Sequence, residues 1–297
     1  MTFPLGLGPR LARPQVLGRH DLPAALRYCQ DQGADGVMAG ARIARALRST
    51  SPFGEVWALR RTDARRTACQ LAAGEIEALA WAGSNLMPVG ADPTAAAAFA
   101  RMARTRRARY ASVVGAADAV GIIWEAVRDA WPEPRSLRPN QPCMAIAGPA
   151  LIEPDPLVTV ATPDRLDELT PACRAMFTEE LGFPPPGPPA SYRAHIADQL
   201  SRRDILARLE PRSGTVIFKA EFGATCGAWV QVQGVWTDPA WRGRGIAKAG
   251  MAAVVAEARR RGFAHVCLYA NDFNLAALAV YRAVGFTQVS TWATVMF

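Results

Sequence analysis

Metal-binding residues are scarce and scattered in this 297-residue chain. Its histidines, His20, His195 and His265, lie in three separate segments, and Cys29, Cys69, Cys143, Cys173, Cys226 and Cys267 form no C-x-x-C pair. Zinc sites draw on Cys and His at short spacings, so metal catalysis is disfavoured and the cysteines read as ordinary reduced thiols. Long apolar runs are missing too, since none approaches the roughly 20 residues that span a bilayer. The first 21 residues are broken by Pro4, Arg10, Arg13, Pro14 and Arg19 and lack the apolar centre of a secretory signal. A soluble, cytoplasmic protein with no membrane partner is expected. Lysine is confined to Lys219 and Lys248, so arginine carries the formal charge of +8. With the abundant alanine this matches a base-composition bias, yet a basic surface still attracts anions, phosphorylated cofactors and RNA among them.

What is present fits a folded, two-domain αβ protein. Hydrophobic residues make up 50% of the chain and charged ones 20%, a globular balance. The length suits two domains, each with its own core. Prolines cluster between Trp131 and Pro156, which places the junction near residue 152 and divides the chain into 1–152 and 153–297, with Cys143 to Ala147 a strand of the first part. Helical spacing runs from Ala24 to Leu47, and strand patterns cover Val56 to Arg60, Ile76 to Trp81 and Asn85 to Val89. Asp92 and Pro93 start a helix that runs to about Arg106. Tyr110 to Val114 is then a strand and Ala116 to Trp131 a helix. In the second half, helices at Pro163 to Leu181 and Ser191 to Leu200 precede strands at Ile205 to Leu209, Thr215 to Ala220 and Gly227 to Thr237. Helix Gly245 to Arg261, strand His265 to Ala270, helix Asn274 to Val284 and strand Thr291 to Phe297 complete the chain. The order from Asn85 to Trp131 repeats that from Val235 to Gly285, which points to an internal duplication.

The segment Thr237-Asp238-Pro239-Ala240-Trp241-Arg242-Gly243-Arg244-Gly245-Ile246-Ala247 links a strand to an amphipathic helix. Gly243 and Gly245 allow a tight turn and a close backbone approach, and the unpaired N–H groups that open the helix then converge where its dipole is positive. A pyrophosphate suits that spot, with Arg242, Arg244 and Lys248 adding charge. A bland glycine-rich connection is the alternative for an isolated pair of glycines. About thirty residues on stand Asn274, Tyr281, Gly285 and Phe286.

Together the two segments resemble the GCN5-related N-acetyltransferase (GNAT) family, whose pyrophosphate loop reads Gln or Arg, two residues, Gly, one residue, Gly or Ala. Arg242, Gly245 and Ala247 satisfy it. The resemblance covers about residues 156 to 297 and implies acetyl-CoA as donor, with direct transfer to an amine on a small molecule or protein. It implies that the backbone of Val235, Trp236 and Thr237 holds the donor like an added strand, and that the loop from Arg242 through Gly243, Arg244, Gly245 and Ile246 to Ala247 binds its diphosphate. Asn274 would approach the donor, and Tyr281 would protonate the departing thiolate; a core tyrosine with a satisfied hydroxyl is the alternative. The base is less defined. Glu179 and Glu180 close a helix ahead of the Pro184 to Pro189 loop, and Glu221 ends the strand at Ala220, where pairing with Lys219 is its structural alternative. Glu180 and Glu221 are the candidates retained.

The fold class implied is α/β with a mixed sheet, a GNAT fold in the C-terminal half and a degenerate GNAT-like N-terminal half. Segments such as Phe218-Lys219-Ala220-Glu221 and Val232-Gln233-Gly234-Val235-Trp236 are similar to an actinobacterial two-domain group of acetyltransferase-like proteins. The N-terminal copy departs from the pattern, since Gly90-Ala91-Asp92-Pro93-Thr94 has no Arg-x-x-Gly-x-Ala after it, so it should not bind CoA in the same way. Two other functions stand beside the enzyme. Tandem proteins of this fold include aminoacyl transferases that use tRNA, but an intact diphosphate loop would be superfluous there; a non-catalytic acyl-CoA sensor would keep the loop without turnover.

Overall fold

Apolar runs in the N-terminal half pair as neighbouring strands in the computed structural model, which describes residues 13–49, 54–60, 75–106 and 110–297. Strands β1 (Gln15–Val16), β2 (Glu55–Arg60), β3 (Ile76–Ala82) and β4 (Asn85–Val89) are antiparallel in sequence order, and β4 then pairs in parallel with β5 (Ser112–Ala116). The helical stretch expected from Ala24 to Leu47 is two helices, α1 (Leu22–Asp31) and α2 (Val37–Arg48). A 3-10 turn at Gly33–Gly36 separates them, and a Cβ at Gly36 would lie 1.9 Å from the Cys29 carbonyl oxygen, so the close approach of the two helices requires glycine there. Helix α3 (Pro93–Thr105) begins as its sequence predicts, with the Asp92 carboxylate accepting from the Ala95 amide at 2.7 Å. Helix α4 (Ala117–Val127) packs with α3 on the sheet around Trp57, Phe99, Val113 and Ile123.

The prolines near the expected junction do not make a loop throughout. Strand β6 (Ser136–Ile146) runs through Pro139 and Pro142, because proline removes an N–H donor without disturbing the extended conformation. The chain forms two compact units, Met1–Gln141 with Thr291–Phe297, and Pro142–Ser290. The boundary expected near residue 152 is thereby moved. Cys143 to Ile146 pair with a strand of the second unit, whereas the last residues of β12 (Thr287–Met296) pair with β5 in the first.

In the second unit the strand order is β6, β11, β10, β9, β8, β7. These are β7 (Thr159–Val160), β8 (Ile205–Leu209), β9 (Val216–Cys226), β10 (Trp229–Thr237) and β11 (His265–Tyr269). Helices α5 (Leu166–Leu181) and α6 (Pro189–Ser201) cover a core of Leu169, Cys173, Ile196 and Trp236; α7 (Ile246–Arg260) and α8 (Leu275–Val284) cover another, around Phe218, Met251, Val254 and Phe286. Both halves thus contain a parallel strand, helix, strand unit, β4 to β5 and β10 to β11.

The cap on α3 is a local device whose loss leaves an amide unsatisfied. Asp92→Ala should lower global stability by about 1 kcal/mol, read as a shifted midpoint in denaturant unfolding at unchanged slope.

Candidate active site

The turn that opens α7 is built as its glycines dictate. Gly243 and Gly245 adopt φ of 74° and 79°, left-handed values that cost a side chain dearly, and Gly245 is the N-cap. A Cβ built on either glycine would meet nothing within 4 Å, so the space over both glycines is open rather than filled by protein. Among the described residues no group accepts from the amides of Gly243, Arg244, Gly245, Ile246 or Ala247, and the first helical amide with a partner is Lys248, 3.1 Å from the Gly245 carbonyl. Five amides without acceptors at a helix N-terminus make an anion cradle. Ile246 buries its side chain in the core and Ala247 is half-buried, so the groups they contribute to the turn are those of the backbone.

The arginines divide their roles. Arg244 lies with its guanidinium 5.0 Å from the Trp241 ring centroid, exposed beside the turn together with Lys248. Arg242 is committed elsewhere. Its Nε donates to the Thr237 carbonyl at 3.0 Å and its Nη2 to Glu179 at 2.5 Å, while Trp236 Nε1 donates to the other Glu179 oxygen at 3.1 Å. Rather than adding free charge for phosphates, Arg242 ties the turn to the ends of β10 and α5.

Strand β10 supplies a second open surface. Its parallel pairing with β11 ends at Gln231 opposite Cys267, yet β10 continues to Thr237. On the other side its antiparallel ladder with β9 continues to Thr237, past one extra residue between Gln233 and Trp236. Gly234, at φ 59°, makes this bulge possible, and a Cβ there would lie 2.9 Å from the Glu221 carboxylate. Val235 to Thr237 therefore present backbone groups toward a gap where a neighbouring strand has parted. Trp236 turns its side chain into the core, so its part in the gap is played by backbone.

Tyr281, on α8, is 6% exposed and packs against Phe286, with ring centroids 6.1 Å apart. Its hydroxyl has no hydrogen-bond partner among the described residues, unlike the satisfied core tyrosine that was the alternative reading. Burial, and after it the charge of Glu180, pushes the phenol well above its ordinary range, so it keeps its proton at neutral pH. Asn274 is the N-cap of α8, its side-chain oxygen accepting from the Ala277 amide at 3.1 Å.

Residues 176–286 match the acetyltransferase (GNAT) family model, and residues 54–169 match the model of a domain of unknown function, DUF4081. Residues 176–286 form a GNAT-family acetyltransferase domain. Members of this family are acyltransferases that bind acyl-CoA. Among solved structures, a GCN5-related N-acetyltransferase from Sphaerobacter thermophilus is 20% identical over 96% of this chain and 95% of its own, with a TM-score of 0.55. A Drosophila protein is 12% identical over 96% and 99%, at 0.64, and a tandem GNAT protein from the clavulanic acid biosynthesis pathway is 14% identical over 96% and 98%, at 0.55. At such identities the likeness shows the fold, and its span extends a GNAT-like fold to the N-terminal unit. No curated protein sequence matches the chain.

The N-terminal counterpart of the GNAT turn is filled by protein. A Cβ at Gly90, φ 60°, would lie 2.0 Å from the Tyr28 hydroxyl, and the Asp92 carboxylate already occupies the helix amide an anion would seek. Elsewhere, among the described residues, no group of three or more His, Cys, Asp or Glu could hold a metal, and no helix is long and apolar enough to cross a membrane. The five described cysteines are buried thiols, and Cys69 lies outside the described residues.

The two candidate carboxylates of the GNAT domain differ in kind. Glu180 is exposed near the end of α5, and its charge reaches Tyr281. Glu221 does not end a strand as its sequence suggested but sits inside β9, 5% exposed and ion-paired with the fully buried Lys219. It also accepts from Gln199 Nε2 at 2.8 Å and Gln233 Nε2 at 3.5 Å, with the Cys173 sulfur 4.0 Å away. These partners occupy about the four lone-pair sites of a carboxylate. Burial raises the Glu221 pKa, but Lys219 and the two glutamine amides together more than offset it and the net shift is downward; likewise burial lowers Lys219, and Glu221 together with Cys173 turns the net shift upward. A saturated carboxylate of depressed pKa is a poor proton acceptor, and the pairing with Lys219 weighed as its alternative is what the fold contains.

Sequence reasoning passed over the cavity beside this cluster. About 400 Å³ in volume, it is walled by Met176, Phe177, Pro186 and Tyr192, with Gln199, Glu221 and Gln233 among its polar lining and His195 also contributing. The aromatic pair at 177 and 192 was a detectable signal, being carried on two helices that flank the Pro184 to Pro189 run.

Removing Lys219 would strand a buried charge. Lys219→Met should destabilise the protein by about 3–5 kcal/mol at neutral pH. In the wild type the depressed Glu221 pKa gives stability that is full above the ordinary carboxylate range and is lost as pH falls through the folded value. In the variant the orphaned Glu221 favours its proton, so the deficit should shrink on acidification, measured by denaturant unfolding across pH.

Proposed function

We propose that this protein is an acyl-CoA-dependent N-acyltransferase that uses acetyl-CoA and transfers its acetyl group directly to an amine. The observation that carries the reading is the open left-handed turn at Gly243 and Gly245, whose partnerless amides head α7 within a GNAT domain. The residues present fit the donor. The amides from Gly243 to Ala247 would hold the diphosphate, with Arg244 and Lys248 supplying screening charge. Val235 to Thr237 would hold the extended arm through strand-like hydrogen bonds.

Acetyl-CoA supplies an activated thioester, whose carbonyl carbon forms a C–N bond to the amine as its C–S bond breaks. The chain's part is to orient the reactants and move two protons. Backbone N–H groups at the β10 bulge would polarise the thioester carbonyl. Tyr281 would give its phenolic proton to the leaving sulfur, a role that fits a protonated hydroxyl carried on a buried ring and bonded to no protein group. Glu180, whose charge reaches that hydroxyl, would take the proton shed by the amine, directly or through water. Glu221 would organise the acceptor side through its amide partners.

Gly245→Val should weaken CoA binding by about two orders of magnitude, since it strains a left-handed position and fills the cradle. Calorimetry reads the affinity while circular dichroism confirms that the fold persists, and undiminished affinity would dismiss this turn as the site. Tyr281→Phe should bind CoA as before and lower kcat by about a hundredfold, measured as thiol release with saturating amine. An unchanged rate removes the phenol from the mechanism.

A further inference from the structure

Resting on the amine-acyltransferase reading above, we infer that the acceptor is an aralkylamine whose amino group is received by Gln199 in the cavity between α5, α6 and β9. Three features of that cavity lead to this class. Its size of about 400 Å³ lies within the range of roughly 300–1,000 Å³ common to small-molecule sites.

Its walls are apolar and held in place. Phe177 and Tyr192 meet edge to face, with ring centroids 5.8 Å apart, and Phe183 backs Phe177 in the same manner at 5.9 Å. The Tyr192 hydroxyl donates to the Cys173 carbonyl at 3.0 Å, which fixes the ring and turns its polar end away from the space. Met176 and Pro186 complete an apolar wall suited to an aromatic or alkyl body.

The polar end selects a hydrogen-bond donor. Gln199 is 3% exposed, and its Nε2 donates to Glu221, whose orientation and ionisation are secured by Lys219. An amide has one donor end and one acceptor end. Glu221, by claiming the donor, leaves Gln199 Oε1 as an acceptor that has no hydrogen-bond partner among the described residues. That oxygen belongs to a residue lining the cavity, and an ammonium or amine N–H placed there would find an acceptor that no protein donor uses.

Charge excludes other amines. Although the chain is rich in arginine, no arginine or lysine side chain is among the residues lining this cavity, so a carboxylate or phosphate on the acceptor finds no fixed cation. Glu221 is neutralised by Lys219, so a polyamine finds no surplus negative charge. The bulge places the cavity beside the thioester position, because Gln233 lines it and Gly234 follows directly on β10.

The test is calorimetric titration of the full-length protein with phenethylamine, in the presence and absence of CoA. Saturable binding is expected, weakened about tenfold or more by Gln199→Leu and by Phe177→Ala, and unaffected by millimolar glutamate or spermidine. CoA affinity retained in both variants shows that they are folded. Absence of saturable phenethylamine binding, displacement by glutamate or spermidine, or equal affinity in folded variants would overturn the proposal. Because the competition arm uses the unmodified protein, it decides the matter even where a variant fails to fold. Loss of CoA binding by the unmodified protein would instead overturn the acyltransferase reading, and is read in a separate titration.

Discussion

Backbone that the fold leaves unpaired is the constraint on which the site depends. A chain ordinarily satisfies its buried and helix-terminal N–H groups, since an orphaned one costs about as much as a lost hydrogen bond. Here two stretches break that habit within one unit. The amides from Gly243 to Ala247 face open space at the head of α7, and β10 runs on after β11 has left it. Both are produced by glycine in left-handed conformations, at 243 and 245 in the turn and at 234 in the bulge. A ligand with a diphosphate at one end and an extended, amide-bearing arm would complete both sets of hydrogen bonds.

The N-terminal unit shows what happens when the same supersecondary order lacks that vacancy. Strand β4, helix α3 and strand β5 follow the same sequence of elements, yet the turn at Gly90 meets the Tyr28 hydroxyl and the Asp92 carboxylate caps the helix. A negative side chain in the position of an anion both satisfies the amide and repels phosphate. The fold is retained while the binding site is filled, which is the physical content of calling this copy degenerate.

A buried network orders the cavity between α5, α6 and β9 in the GNAT domain. Lys219 and Glu221 stand two residues apart on one face of β9, and each shifts the other's ionisation against the pull of burial. Such a pair contributes little net stability compared with apolar residues of equal size, but it fixes orientation. Its consequence is felt at Gln199 and Gln233, whose amide groups are turned by one carboxylate. Glu179 has a comparable part at the end of β10, where it gathers Trp236 and Arg242.

Features decided by neighbours in the chain were legible in the residues themselves. The Asp92-Pro93 helix start, the strand at Ile205 to Leu209, the glycine turn before α7 and the order of elements all rest on φ preferences, capping and short-range periodicity. Features decided by distant neighbours were not. Helical spacing across Gly33 to Gly36 concealed a break that exists because Gly36 meets the Cys29 carbonyl, and prolines at 139 and 142 concealed the first half of β6, while the expected strand from Cys143 finds its partner over a hundred residues away. Glu221 read as a candidate base with pairing to Lys219 as its alternative; only packing could reveal that Gln199 and Gln233 join Lys219 in occupying it. Sequence thus settled where a glycine turn would leave helix-opening amides unpaired, since glycine conformation is local. Tertiary structure settled which carboxylate is spent, which arginine is tied down and where a cavity opens, since hydrogen-bond capacity and burial depend on what folds back against each side chain.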